Sequence, residues 1–181
     1  MENETMRGTS ELTTERLKLR RHRIEDAAVL YKNFGCDPQM YAWSGWNPYA
    51  TMEMAEETVQ RFIDSYQEND FYGWAIEYQG RLIGTAGAYD YDSVHSTIET
   101  GFSIERASWE NGFASEALRC VLDYLCEQEG IQTVTAWCTA ENTGSLKAMR
   151  KAGMRQVLTE KDGLEINGIK HDKIICSYTK G

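Results

Sequence analysis

No stretch of about 18 apolar residues, the length a membrane-spanning helix requires, occurs in the sequence, and its start, MENETMRGTSE, lacks a cationic segment followed by an apolar one. The protein is therefore expected to be unexported and cytoplasmic. Basic residues are in deficit: 19 Lys and Arg stand against 28 Asp and Glu, for a formal charge of −9. A general nucleic-acid or anionic-membrane binder needs a basic field to release counterions or meet lipid headgroups, so neither partner is expected. The acidity suits a cationic acceptor such as an amine, and solubility alone explains it as well. The five cysteines, Cys36, Cys120, Cys126, Cys138 and Cys176, are odd in number and contain no C-x-x-C pair. That excludes a disulfide framework and a zinc ribbon and fits a reducing compartment. His22, His95 and His171 have no paired spacing, so no metal site is expected. Nor is there a G-x-G-x-x-G after a first strand or a G-x-x-x-x-G-K-[ST], which removes the dinucleotide and P-loop readings.

What is present is the composition of a globular protein: 41% hydrophobic, with five Trp and ten Tyr. A length of 181 residues suits one domain, 1–181, behind a polar tail through about residue 11 that is expected to be loose. Leu17 and Leu19 with their basic neighbours read as a first strand, and residues 24–34 as a helix. Residues 40–50, MYAWSGWNPYA, are dense in aromatics yet interrupted by Gly45 and Pro48, so they form an irregular segment. Thr51 can cap a helix running to about residue 69, with Ala55, Val59, Phe62, Ile63 and Tyr66 inward. Strands follow near residues 71–78 and 81–91, joined at Gln79-Gly80 by a two-residue turn. Later come a β-rich run at 133–138, placed as a parallel strand after a crossover helix would be, a helix at about 143–152, and strands near 155–161 and 170–179.

The chain is organised around residues 97–130, TIETGFSIERASWENGFASEALRCVLDYLCEQEG. Ile98, Thr100, Phe102 and Ile104 alternate with Glu99, Gly101, Ser103 and Glu105, the period of a half-buried strand. Phe113, Ala117, Leu118, Val121, Leu122 and Leu125 then recur at three- and four-residue spacing, with Glu116, Arg119, Asp123 and Glu127 on the other side, which predicts an amphipathic helix stopped by Gly130. Between them the chain must leave the first four helical N–H groups without intrahelical partners. Such groups, backed by the helix dipole, attract phosphate, and Gly112 lets a ligand approach the backbone. A single glycine in such a turn is equally compatible with no ligand at all.

WENGFASEA, residues 109–117, resembles the acetyl-CoA signature of the GNAT superfamily of N-acetyltransferases, Q/R-x-x-G-x-G/A, with Trp109 in the first slot and Ala114 in the last. This variant looks like the RimJ/RimL branch, whose named members acetylate N-terminal amines of ribosomal proteins. The resemblance runs from about Leu12 to the end. It implies an α+β GNAT fold, a mixed and mostly antiparallel sheet of about six to seven strands with helices on both faces. It also implies acetyl-CoA as cosubstrate, held by Trp109, Asn111, Gly112, Phe113, Ala114 and Ser115. The strand at 97–105 is expected to splay from the next, with a backbone N–H near Ser103 or Ile104 serving the thioester oxygen.

Amine acetylation needs a base, a donor for the departing thiolate and a grip on CoA. In AENTGSLKAMRKAGM, residues 140–154, Asn142 and Ser145 have the N-x-x-S spacing of the RimL-type motif, where Asn meets pantetheine and Ser faces the sulfur. The Tyr used by many other GNAT enzymes has no counterpart among Ala148, Met149, Arg150 and Lys151. Asn142 and Ser145 would also serve as a plain helix cap. Lys147, Arg150 and Lys151 suit the CoA 3′-phosphate or, for the last two, the helix dipole. The base candidates are Glu99, at the strand position used by many GNAT enzymes, and Glu165 in GLEING, which resembles a RimL-type segment and is slightly favoured. Tyr41, Trp43, Trp46 and Tyr49 either select the acceptor or fill core. Glu110 and Asn111 depart from the relatives' Gly and basic or Gln residues. The implied acceptor is a primary amine, either a protein N-terminus or a small molecule (amino acid, polyamine or aminoglycoside). A CoA-binding module without catalysis is the third reading, and homodimerisation is left open.

Overall fold

The computed structural model describes residues 6–180. The strands are β1 (Leu12–Thr13), β2 (Leu17–Arg20), β3 (Tyr72–Tyr78), β4 (Arg81–Asp92), β5 (Thr97–Ile104), β6 (Thr133–Thr139), β7 (Arg155–Ile166) and β8 (Ile169–Thr179). Four α-helices join them: α1 (Asp26–Leu30), α2 (Met52–Ser65), α3 (Phe113–Asp123) and α4 (Thr143–Lys151), and π turns extend α1 over Tyr31–Gly35 and α3 over Tyr124–Gln128. The eight strands form one sheet in the order β1-β2-β3-β4-β5-β6-β8-β7. Every neighbouring pair is antiparallel except β5 and β6, the pair joined by the α3 crossover. The α+β class and the mixed, mostly antiparallel sheet follow the sequence reading. The eighth strand, β1, pairs only Leu12 with Leu19 and Thr13 with Lys18, too short a run for an alternation to show.

Helices cover both faces. On one, Tyr72, Trp74 and Ile76 of β3 meet Phe113, Ala117, Leu118, Val121 and Leu122 of α3, the residues whose spacing predicts the buried stripe. On the other, Ala75 and Leu82 meet Ala27 and Leu30 of α1 and Ala55 and Val59 of α2. Burial from both sides explains why β3 shows no hydrophobic alternation. Each fully buried Leu on α3 contributes about 2 kcal/mol. Thr51 caps α2 by accepting from the Met54 N–H at 3.0 Å, and this helix ends at Ser65, short of the expected residue 69. Gln79 and Gly80 both have positive φ, 51° and 78°, as a primed hairpin turn requires.

The polar N-terminal segment departs from expectation. Its first five residues lie outside the described residues, but residues 6–11 are tied down. The Arg7 and Gly8 amides donate to the Glu129 carboxylate at 3.0 and 3.2 Å, and Tyr124 Oη donates to Gly8 O at 2.6 Å. Thr9, 3% exposed, bonds Phe71 O and the Gly73 N–H, while the Trp74 indole donates to Ser10 O at 2.7 Å. A short polar run is held here because its backbone satisfies buried side chains that would otherwise be orphaned.

Beside it lies a buried ion cluster. Arg20 donates to both Asp26 oxygens at 2.8 and 2.9 Å and to Glu77 at 2.6 Å, with Arg20 and Asp26 each 5% exposed. Burial alone would raise the Asp26 pKa, but bonds from Arg20 and the Arg23 N–H outweigh it and hold the carboxyl well below the usual carboxylate range. Asp26→Asn, which leaves Arg20 without its bidentate partner, is expected to lower stability by about 3–5 kcal/mol in urea unfolding at pH 7. Because the folded carboxyl titrates below its unfolded counterpart near ~3.9, its contribution is complete above about pH 5 and is lost as the pH falls. Wild-type and variant midpoints should therefore converge in acid, and a constant gap down to pH ~2 would contradict the assignment.

Candidate active site

β5 and β6 pair only where Thr97, Ile98 and Glu99 face Thr133, Val134 and Thr135. Beyond that β5 continues against β4 as far as Ile104, β6 continues against β8 as far as Thr139, and the two part. The expected splay is present. It opens a cavity of about 1020 Å³ bounded by the ends of both strands, the start of α3, the first turns of α4 and the aromatic segment before α2.

The β5 edge presents backbone to this cavity. The Glu105 N–H donates to Ile83 O at 2.8 Å on the β4 side. Alternation then directs the Ser103 N–H to β4 and those of Phe102 and Ile104 to the gap. Of the two expected donors, the Ile104 amide is therefore available and that of Ser103 is not. Ser103 nonetheless lines the cavity. The Ile104 carbonyl is taken by Trp109 Nε1 at 2.7 Å, which gives Trp109 a structural task the motif does not reveal.

Glu105, 2% exposed, then fixes the turn into α3 by accepting from Arg81, from Ser108 Oγ at 2.8 Å and from Asn33 Nδ2 at 3.0 Å. Glu110 and Gly112 follow with φ of 65° and 78°. The Asn111 side chain is spent on Ser108 O and Trp109 O, and Ser115 Oγ on Gly112 O. No side chain caps α3. Among the described residues the amides of Gly112, Phe113, Ala114 and Ser115 have no acceptor, so they are free for an anion at the positive end of the helix. Arg16, which the sequence offers only as a strand neighbour, adds charge here. Its Nη2 is 3.5 Å from where a Cβ on Gly112 would stand, and its guanidinium lies 4.4 Å from the Phe113 ring centroid. Arg16 Nε also holds Glu116 at 2.8 Å. Burial opposes the charged form of Glu116, but bonds from Thr14 and Arg16 keep its carboxyl below the usual range.

Across the gap Asn142 caps α4, its Oδ1 accepting from the Ser145 N–H at 3.2 Å. Both roles considered for the N-x-x-S spacing are compatible, because the Asn142 amide nitrogen and the Ser145 hydroxyl stay free while both residues line the cavity. Lys147 and Lys151 line it too, whereas Arg150 turns away to Gln156 at 3.2 Å.

The two expected carboxylates are far apart in the sheet. Glu99 is half-buried on the face opposite α3 and stands across from Tyr89. Tyr89 lines the cavity, and burial, together with the nearby charge of Glu99, pushes its hydroxyl pKa upward. Glu165 is exposed beside the Asn167-Gly168 turn and faces Lys170. Its neighbour Ile166 meets Gly45 of the aromatic segment, so alternation turns Glu165 away from that segment. Neither candidate lines the cavity; Glu99 lies nearer it, across from the lining residue Tyr89, while Glu165 is turned away. The carboxylates that do line the cavity are Glu110 and Glu141. In the aromatic segment Tyr49 is core, edge-on to Phe34 at 6.3 Å, while Trp43 and Trp46 are 37% and 66% exposed as cavity wall. Among the described residues no group of three or more His, Cys, Asp or Glu is placed to hold a metal.

Comparison with known proteins adds the chemistry. The family described as "Acetyltransferase (GNAT) domain" matches residues 16–155. The uncharacterized N-acetyltransferase YoaA of Bacillus subtilis (strain 168) is 29% identical over 171 residues, covering 93% of this chain and 96% of its own. The uncharacterized N-acetyltransferase p20 of Bacillus licheniformis is 30% identical over 147 residues, covering 80% and 82%. Among solved structures, a RimL ribosomal alpha-N-protein acetyltransferase in complex with coenzyme A superposes with a TM-score of 0.83 at 17% identity, over 94% of this chain and 98% of that one.

Asn142→Ala removes the α4 cap and is expected to cost about 1 kcal/mol in thermal unfolding. Unchanged stability would mean that the Asn142 side chain does not hold the Ser145 amide in solution.

Proposed function

The chain belongs to the GNAT acetyltransferase family, and from that premise we propose that it holds acetyl-CoA in the gap between β5 and β6 and transfers the acetyl group to the N-terminal amine of a protein. The carrying observation is the run of amides from Gly112 to Ser115 with no acceptor in the chain, at the mouth of a gap lined by free strand edges. Together these form a cradle for a diphosphate followed by an extended polar arm. Arg16, Lys147 and Lys151 surround the cradle with positive charge in a protein whose net charge is −9.

The cosubstrate supplies an acyl thioester open to direct attack. The chain's residues do the rest. The Ile104 N–H faces the gap and stabilises the thioester oxygen as charge develops on it. Ser145 Oγ, half-buried and free, donates to the departing sulfur. A thiolate with a pKa of about 8.5 needs little help, which fits the absence of a Tyr on α4. The acceptor enters on the α1–α2 face, where Trp43 and Trp46 form a wall. Its proton passes toward Glu99 by way of the Tyr89 hydroxyl, since Tyr89 lines the cavity and stands across from Glu99 on the neighbouring strand. The likeness to RimL supports an N-terminal amine as acceptor at the level of fold.

Thiol release from acetyl-CoA in the presence of N-terminal peptides and of small amines tests each part. Glu99→Gln is expected to lower kcat by about 100-fold, and Glu165→Gln by less than about twofold. Turnover with small amines and none with peptides would overturn the acceptor, and no release with any amine despite tight CoA binding would leave a binding module. Glu110 sits at the mouth of the diphosphate cradle without a partner among the described residues, so Glu110→Gln should tighten CoA about threefold in calorimetry at low salt. That gain should shrink as salt is raised.

A further inference from the structure

On the acceptor side of the cavity, beside the Trp43 wall, lie three side chains that the transfer step does not use. Thr139, at the end of β6, is fully buried and lines the cavity, yet its Oγ1 has no hydrogen-bond partner. Two residues on, in the turn that follows β6, Glu141 also lines the cavity, and the one basic side chain against it among the described residues is His171. His171 Nδ1 lies 3.2 Å from Glu141 Oε1 but is not aligned to hydrogen-bond it, so this buried ring nitrogen is left without a hydrogen bond. The imidazole stands edge-on to Trp43 at 5.9 Å between centroids, and Trp43 is the cavity's outer wall. The Glu141 carboxyl is held below its usual range, first by a bond from its own backbone and then by His171. Lys173, across from Thr139, lies over the Trp137 ring at 5.1 Å.

A buried orphan hydroxyl, a carboxylate without a lysine or arginine partner among the described residues and an indole wall together suit an organic cation. Glu141 lies six residues beyond Thr135, where β5 and β6 part, and Glu99 pairs with that same Thr135. The four strand steps from Thr135 to Thr139 alone span about 13 Å at about 3.3 Å each, which puts the two carboxylates too far apart to serve one nitrogen. We propose that Thr139, Glu141, His171 and Trp43 form a subsite for a second cationic group of the acceptor, so that the substrate class is an amine carrying another positive charge some residues' length from the nitrogen that is acetylated. The proposal rests on the acetyl-CoA reading. Two sources share this chemistry, a polyamine and an N-terminal peptide with a Lys at its second or third position.

Calorimetry on the CoA-loaded protein tests the subsite with four probes: spermidine, propylamine, and the peptide amides Ala-Lys-Ala and Ala-Met-Ala. At least one of the two multiply charged probes is expected to bind at least tenfold tighter than its singly charged partner, and which one does identifies the source. Glu141→Gln should abolish that tenfold preference, Thr139→Val should weaken it severalfold, and Glu57→Gln on exposed α2 should leave it unchanged. CoA affinity should be the same in all of them. Equal affinity for singly and multiply charged probes, no binding of any probe, or a preference that survives Glu141→Gln would overturn the subsite while CoA binding stands. Failure of CoA itself to bind would overturn the acetyl-CoA reading and the subsite with it.

Discussion

Everything at the site depends on β5 and β6 parting after Glu99 and Thr135. Adjacent strands normally satisfy each other's backbone groups, and leaving an edge unpaired in a sheet interior costs hydrogen bonds. Here each strand keeps its outer partner, β4 for β5 and β8 for β6, so the separation forfeits only the bonds that would cross the gap. One of them is recovered internally, since the Trp109 indole takes the Ile104 carbonyl. The remaining edge is a template for an extended polar chain, and pantetheine has that character.

Holding the gap open requires that the end of β5 not drift toward β6. Glu105 supplies the anchor. Its carboxylate is buried and bound by Arg81 on β4, Asn33 beside α1 and Ser108 in the turn, while its own N–H is locked to Ile83. A buried charge so surrounded is costly to disturb. The same hub sets where Gly112 begins α3, and so fixes the diphosphate cradle relative to the strand edge. Cradle and gap are positioned by one residue that need not touch substrate.

How much of this could be read beforehand follows the range of the interactions. The α3 stripe, the β5 alternation, the Gln79-Gly80 turn and the Asn142 cap are local, and the structure reproduces them. The free amides after Gly112 were also legible, because an uncapped helix start is a statement about a few consecutive residues. The misreadings are long-range. Residues 6–11 look like a tail until Glu129, Tyr124 and Trp74 are seen to bind them. Glu165 looked like the better base because its local wording matched a relative's, but the hairpin's alternation decides where it points, and that depends on which face Ile166 packs. Arg16 and His171 carry no local signal at all. One gains its place from the turn after β1, the other from pairing across β8 with a residue 30 positions earlier.

The distribution of charge shows why these placements belong together. The chain is acidic overall, yet Arg16, Lys147 and Lys151 gather around the phosphate side of the gap, while Glu99 and Glu141 stand toward the acceptor side. Apart from Glu110, this arrangement favours an anion at one end of the cavity and a cation at the other. The sheet lies between those two fields, and the parted strands are its one opening. On the proposed reading, a thioester held at that opening would meet the amine where the two strands part, so the fold would position the reacting groups before any side chain moves a proton.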